Sequence, residues 1–285
     1  MGQTDWSLLC QRFQGDDGLP VREVGSWSED KLFFWHRYIQ ITTTAMVGKV
    51  AWPGGVAYVD LFAGPGACRI RGTAKRLPGS PLIAAHAPKA LSRIIACEEQ
   101  PDLADACEKR LLASPAADCS VVFSGNCNQR MSEIIAAIPP DALTLAFIDP
   151  EALHIEYDSI ARLSRAGAVD LLILFADAFD VLRNVDEHYV PNPGSRLDRF
   201  LGSDANWRAG WASLGNQGGA RARDFFMRVY QQQLRKLGYG HFGEQRISSR
   251  SGPLYRLVYA SKNSRGLDFW EKAKSKDKGG QSQLF

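Results

Sequence analysis

No apolar run in this chain approaches the roughly eighteen residues a membrane-crossing helix needs. The longest, Ala168 to Phe175, is short and interrupted by Asp170. The first residues, Met1 to Gln11, lack a basic start followed by an apolar block, so no secretory signal is expected. Six cysteines are present (Cys10, Cys68, Cys97, Cys107, Cys119, Cys127), but no two form a Cys-x-x-Cys pair. Several sit within or beside apolar runs, where a free thiol behaves as a small hydrophobe. These absences predict a reduced, cytoplasmic protein without membrane contact and without structural zinc or any other metal. There is no internal repeat.

What is present is ordinary for a globular protein. The 285 residues are 45% hydrophobic and 23% charged, enough apolar material for one large domain with a full core. The net charge is +3, unevenly distributed: residues 221–285 carry 14 Lys and Arg against 5 Asp and Glu. That basic C-terminal segment reads either as a solvated surface or as a face for a polyanion such as a nucleic acid.

Ser28 to Val47 reads as a helix that Ser28 can cap, with Leu32, Trp35, Ile39 and Met46 at approximately helical spacing. Trp52-Pro53-Gly54-Gly55 breaks it. Strand-like runs then follow at Val56–Leu61, Arg93–Cys97, Ser120–Phe123, Leu143–Ile148 and Val169–Phe175. Helical stretches lie between them at Pro101–Leu112, Asn128–Ile138 and Glu156–Ala166. Runs that are apolar without alternation suit strands covered on both faces, and strand–helix alternation predicts a parallel α/β sheet. Residues 186–220 read as an insertion with little sheet character, and Asp224–Leu237 as a helix. Glu244–Ser249 and Leu254–Ala260 form an expected hairpin across Ser251-Gly252-Pro253. Five parallel strands closed by a terminal antiparallel hairpin point, by fold analogy, to a Rossmann-like class I methyltransferase sheet with helices on both faces. The expected organisation is an N-terminal arm over 1–27, the domain over 28–270 and a disordered basic tail over 271–285.

Chemistry-bearing residues fall at the strand ends. The first strand ends in Asp60-Leu61-Phe62-Ala63-Gly64-Pro65-Gly66, where glycines let backbone amides approach a ligand at the carboxyl edge of a sheet. A dinucleotide fingerprint needs a third small residue where Arg69 stands, and the Walker lysine is missing. The second strand ends in Glu98-Glu99; Glu98, directly after the apolar run, is placed to accept from both hydroxyls of a ribose. Asn126, after the third strand, offers donor and acceptor to an adenine edge or caps the next helix. Asp149-Pro150 ends the fourth strand, where a carboxylate could take a proton from a substrate or hold an amine for attack on a methyl sulfonium. Arg183-Asn184, beyond the fifth, either holds a phosphate or carboxylate or pairs with Asp180 or Glu187 on its own helix.

At these residues the chain resembles the three-Cys-motif partner (TcmP) family, proteins with a class I S-adenosylmethionine-dependent methyltransferase fold. The resemblance rests on Tyr58-Val59-Asp60-Leu61-Phe62-Ala63-Gly64-Pro65-Gly66, Gly79-Ser80-Pro81-Leu82, Phe147-Ile148-Asp149-Pro150 and Asp170-Leu171-Leu172-Ile173-x-Phe175. Arg183-Asn184, Ala260-Ser261-Lys262-Asn263 and Phe269-Trp270 also fit. It implies S-adenosylmethionine bound by Asp60, Phe62, Ala63, Gly64, Pro65, Gly66, Glu98 and Asn126, and catalysis at Asp149. Pro150, Arg183 and Asn184 would meet the substrate, and a three-Cys-motif protein, itself resembling radical-SAM proteins, would be the partner. A non-catalytic methyltransferase-fold subunit is the alternative. Two subclasses are excluded: no Pro-Cys supplies the nucleophile of cytosine-C5 methylation, and Asp149-Pro150-Glu151-Ala152 lacks the aromatic that stacks on a flipped adenine unless His154 or Tyr157 replaces it.

Overall fold

The computed structural model describes residues 5–150, 152–215, 219–249 and 252–278. Glu151, Ser251 and the 279–285 part of the expected tail lie outside the described residues.

In chain order the strands are β1 (Arg22–Val24), β2 (Val56–Asp60), β3 (Ala67–Ile70), β4 (Arg76–Pro78), β5 (Arg93–Glu98), β6 (Ser120–Ser124), β7 (Leu143–Ile148), β8 (Ala168–Phe175), β9 (His241–Ser249) and β10 (Gly252–Ser261). The helices are α1 (Asp5–Gln11), α2 (Ser28–Met46), α3 (Ser80–Ala85), α4 (Pro101–Leu112), α5 (Cys127–Ala136), α6 (Tyr157–Ser164), α7 (Leu182–Asn184), α8 (Arg196–Leu201), α9 (Trp207–Leu214), α10 (Gly219–Lys236) and α11 (Ser264–Lys274).

Seven strands form one sheet in the order β6-β5-β2-β7-β8-β10-β9. β2 lies parallel between β5 and β7, with Tyr58 opposite Ile94 on one side and Leu145 on the other. Only β10 runs against its neighbours, pairing antiparallel with both β8 and β9. This is the α/β arrangement that the alternating pattern predicts. The pleat sends successive residues to opposite faces. Tyr58, Leu145, Phe147 and Leu172 therefore join one core with α2, α3 and α11. Val59, Ala146, Ile148 and Ile173 join a second with α5, α6, α8 and α10. The expected 186–220 insertion contributes α8 and α9, and its Leu197, Phe200 and Trp207 are buried in that second core.

Two expectations are corrected. Ser28 does not cap α2: Trp27 precedes the helix in a helical conformation without a side-chain cap, and the Ser28 amide donates to the Gly25 carbonyl. The expected N-terminal arm, described from Asp5 onward, packs on the core. Trp6, Leu9 and Cys10 of α1 are buried, and β1 pairs with β3 in a small sheet completed by β4. The basic tail does not begin at 271, because α11 continues to Lys274, which is buried, and Lys278 pairs with Asp30 at 2.8 Å.

Candidate functional site

The chain crosses from one side of β2 to the other between β6 and β7, so the switch point of the sheet lies between the carboxyl ends of β2 and β7, where such folds bind ligands. β2 leaves through the glycine turn. Gly66 has φ +82°, which a side chain would strain. Close contact continues at Gly79, where a Cβ would stand 2.7 Å from the Gly66 carbonyl oxygen. The turn is pinned from outside by Arg110 of α4. Its guanidinium donates to Pro65 O at 2.5 Å and Pro20 O at 2.8 Å, and pairs with Asp17 at 2.7 Å.

Two cavities open at this edge. The larger, about 470 Å³, is bordered by the turn residues Phe62, Ala63, Gly64, Pro65 and Gly66, by Asp149 and Pro150, and by Arg22, Trp27, Lys31, Arg71 and Tyr255. The smaller, about 90 Å³, is bordered by Glu98, Glu99, Gln100, Asn126, Asn128 and His154. Arg22, Phe62 and Asp149 border both.

Glu98 is buried and accepts the Gly64 amide at 2.8 Å and the Gln100 amide at 3.0 Å. Arg22 stands 3.6 Å from it. Asn126 does cap α5, accepting from the Asn128 amide at 2.9 Å, while its own amide group donates to Glu99 at 3.2 Å. Asp149 is ion-paired with Lys31 of α2, both side chains largely buried. The Tyr255 ring packs below Lys31, 6.0 Å from Nζ to its centroid. Burial first, and then the Asp149 charge, hold the Tyr255 phenol well above its usual range, and its hydroxyl has no hydrogen-bond partner.

The expected site residues thus separate. Phe62, Ala63, Gly64, Pro65, Gly66, Glu98, Asn126, Asp149 and Pro150 border one or both cavities. Asp60 borders neither. It is fully buried beneath the turn, bonded by Tyr58 Oη at 2.5 Å, by the Phe62 amide at 3.2 Å and by Ser80. Burial pushes its carboxyl up to about 6 against those hydrogen bonds. These bonds brace the turn from beneath. Arg183 and Asn184 also border neither cavity, and Asn184 donates instead to Asp180 at 2.8 Å. Tyr157 is committed to the Gln233 carbonyl at 3.0 Å, whereas His154 stands at the rim of the smaller cavity.

Arg22, Lys31, Arg71 and Tyr255 were not expected. Lys31 alone carries a signal: it falls in the stripe with Trp35, Tyr38 and Thr42, all buried, so a charge interrupts the inward face of α2. In the basic C-terminal segment, several cations are already matched. Arg256 is buried against Asp177, Asp224 and Glu244, Lys274 pairs with Glu271 and Lys236 with Asp204. Among the described residues no helix is long and apolar enough to cross a membrane, and no group of three His, Cys, Asp or Glu side chains could hold a metal ion.

No family model matches the chain, and no curated protein does. Solved structures do. The O-methyltransferase from Bacillus cereus, in complex with SAH, has a TM-score of 0.49 at 9% identity, over 89% of each chain. The O-methyltransferase TomG from Streptomyces achromogenes, in complex with SAM, has a TM-score of 0.42 at 10% identity, over 92% of this chain and 100% of that one. TYW2 from P. horikoshii, in complex with MeSAdo, has 0.40 at 12% over 80% and 62%. The likeness is one of fold.

Proposed function

We propose that the chain binds S-adenosylmethionine across the two cavities and transfers its methyl group to an acceptor in the larger one. The observation that carries this reading is that the glycine turn after β2 and Asp149, just after β7, border one cavity at the switch point of the sheet. The residues suit the cofactor. Glu98 is a buried acceptor for ribose hydroxyls, Asn126 and His154 border the space beside it, and the larger cavity is floored by a turn without side chains at Gly64 and Gly66. When bound, S-adenosylmethionine supplies an electrophilic methyl group.

The chain's own contribution is placement and charge. Asp149 accepts the proton of an acceptor hydroxyl, and Lys31, paired with it, stabilises negative charge growing on that oxygen. Trp27, Phe62 and Tyr255 give the cavity apolar walls that keep water from the acceptor. Arg71 on the same wall favours a small anionic acceptor of nucleotide type over a nucleic-acid strand held by the basic C-terminal segment. A strand bound through its phosphates would show steep loss of affinity with added salt.

The finer reading, a three-Cys-motif partner protein, is supported by the motifs from Tyr58 to Trp270. Co-expression with a three-Cys-motif protein and co-purification of the pair tests it. The cofactor reading is tested by calorimetric titration with S-adenosylmethionine and S-adenosylhomocysteine, on the native chain and on Glu98→Ala. Micromolar binding lost in the variant supports it. A native chain that binds neither, alone or with the partner, is instead a non-catalytic subunit.

A further inference from the structure

Arg22 stands where the two cavities meet, on the open side of the glycine turn. A Cβ on Gly64 would lie 3.7 Å from its Nε and 3.9 Å from its Cζ. Its Nη2 is 3.6 Å from the same Glu98 oxygen that accepts the Gly64 amide. This placement is built into the fold. β1 pairs with β3 in the register Arg22 to Cys68, the Arg71 amide donates to the Val24 carbonyl at 2.9 Å, and Arg110 fastens the preceding Asp17, Leu19 and Pro20.

Charge then limits what this guanidinium can do. Glu98 is a buried carboxylate, and a buried charge is costly without a partner. The amino-acid end of S-adenosylmethionine brings a second carboxylate to the larger cavity. Of the cations on that wall, Lys31 is engaged with Asp149 and Arg71 is exposed, on the turn beyond β3. Arg22 is the one already beside Gly64.

Building on the cofactor reading, we infer that Arg22 binds the methionine carboxylate of the cofactor. Before binding, the guanidinium faces Glu98. When ribose hydroxyls satisfy Glu98, Arg22 exchanges that carboxylate for the ligand's, in the bidentate contact that guanidinium and carboxylate geometries allow. Neither acid is left unpaired in either state. The short strand β1 is therefore part of the cofactor site, and the residue it carries reads the amino-acid end of the ligand.

The test is calorimetric titration of the full chain and of Arg22→Ala with two probes that differ only in the carboxylate, S-adenosylmethionine and its decarboxylated form. The native chain should prefer S-adenosylmethionine by about tenfold or more, the worth of one charge-assisted contact. Arg22→Ala should abolish that preference by weakening S-adenosylmethionine while leaving the decarboxylated form within about twofold. Arg22→Lys, which keeps the charge but not the fork, should retain part of the preference and guards against a folding defect in the alanine variant. Equal weakening of both probes, or full preference in either variant, overturns the assignment. A native chain that binds both probes equally also overturns it and leaves the cofactor reading standing, whereas one that binds neither removes both.

Discussion

Arg110 Nη1 donates both to the carbonyl oxygen of Pro65, in the middle of the glycine turn, and to that of Pro20, while its other two nitrogens hold Asp17 and Leu19 of the N-terminal segment. One side chain of α4 thereby joins the cavity-lining turn to the segment that leads into β1.

Arg110→Ala should cost about 2–4 kcal/mol, because it strands buried carbonyls. The value is kept below that of a fully buried ion pair because Asp17 is 42% exposed. Urea unfolding measures it, and a cost under about 1 kcal/mol would mean that the segment is held by other contacts. Arg110→Lys should recover less than half, since an ammonium cannot span four acceptors.

Lys31 and Asp149 act as a unit. Lys31→Met and Asp149→Asn, each alone, leave a largely buried charge unpaired. The double variant should be more stable than the sum of the single losses requires, by a coupling of about 1–3 kcal/mol. Thermal unfolding of the four proteins gives the cycle, and additivity within about 0.5 kcal/mol would show that the pair is incidental.

Two buried groups should tilt the pH profile in opposite directions. Asp60 binds its proton up to about pH 6 in the folded chain, above its unfolded value near 3.9, so its contribution to stability falls as pH rises through that window. His36, buried and lowered to about 4, stays neutral where the unfolded chain charges, so its contribution is lost as pH falls from about 6.5 to 4. Asp60→Asn should therefore gain stability with rising pH between about 4 and 6.5, and His36→Phe should lose it, each by up to about 1.4 kcal/mol per pH unit. Urea midpoints at several pH values decide, and slopes of the same sign in both variants would refute the pairing.

Burial raises all six thiols, Cys10 and Cys97 to about 12. Cys119, half-buried beyond α4, is the exception in access. Alkylation of the native chain at pH 8, followed by peptide mapping, should modify Cys119 first. Equal rates at Cys107 and Cys119 would contradict the packing around α4.

The parallel sheet was legible because its central strands are buried on both faces and must be apolar throughout, as in Leu143–Ile148. The same residues betray the strand ends, and with them Gly64, Glu98 and Asp149. The near wall was not legible. β1, β3 and β4 are each three or four residues long, too short for periodicity to register, so Arg22 read as part of an arm. Asp60 was legible as a strand-end acid but its contacts were not: such an acid can face a ligand or turn beneath its own loop, and the partners that hold it there, Tyr58 and Ser80, are not marked as such in the chain. Arg183 and Asn184 read either toward a ligand or toward their own helix, and Asn184 turns to Asp180 in the segment after β8.

Tyr38, stacked on Trp35, meets Tyr259 and Trp270 near the other end of the chain, and Arg37 donates to the Ala273 carbonyl 236 residues later. The helix that carries Lys31 is closed on one side by the last helix described. At ribosomal speeds of about 5–20 residues per second, α2 waits roughly 10 to 50 s for that cover. Trp35 has Tyr58 and Phe147 to pack on before then, but the side of Tyr38 that Tyr259 and Trp270 cover stays open for that interval.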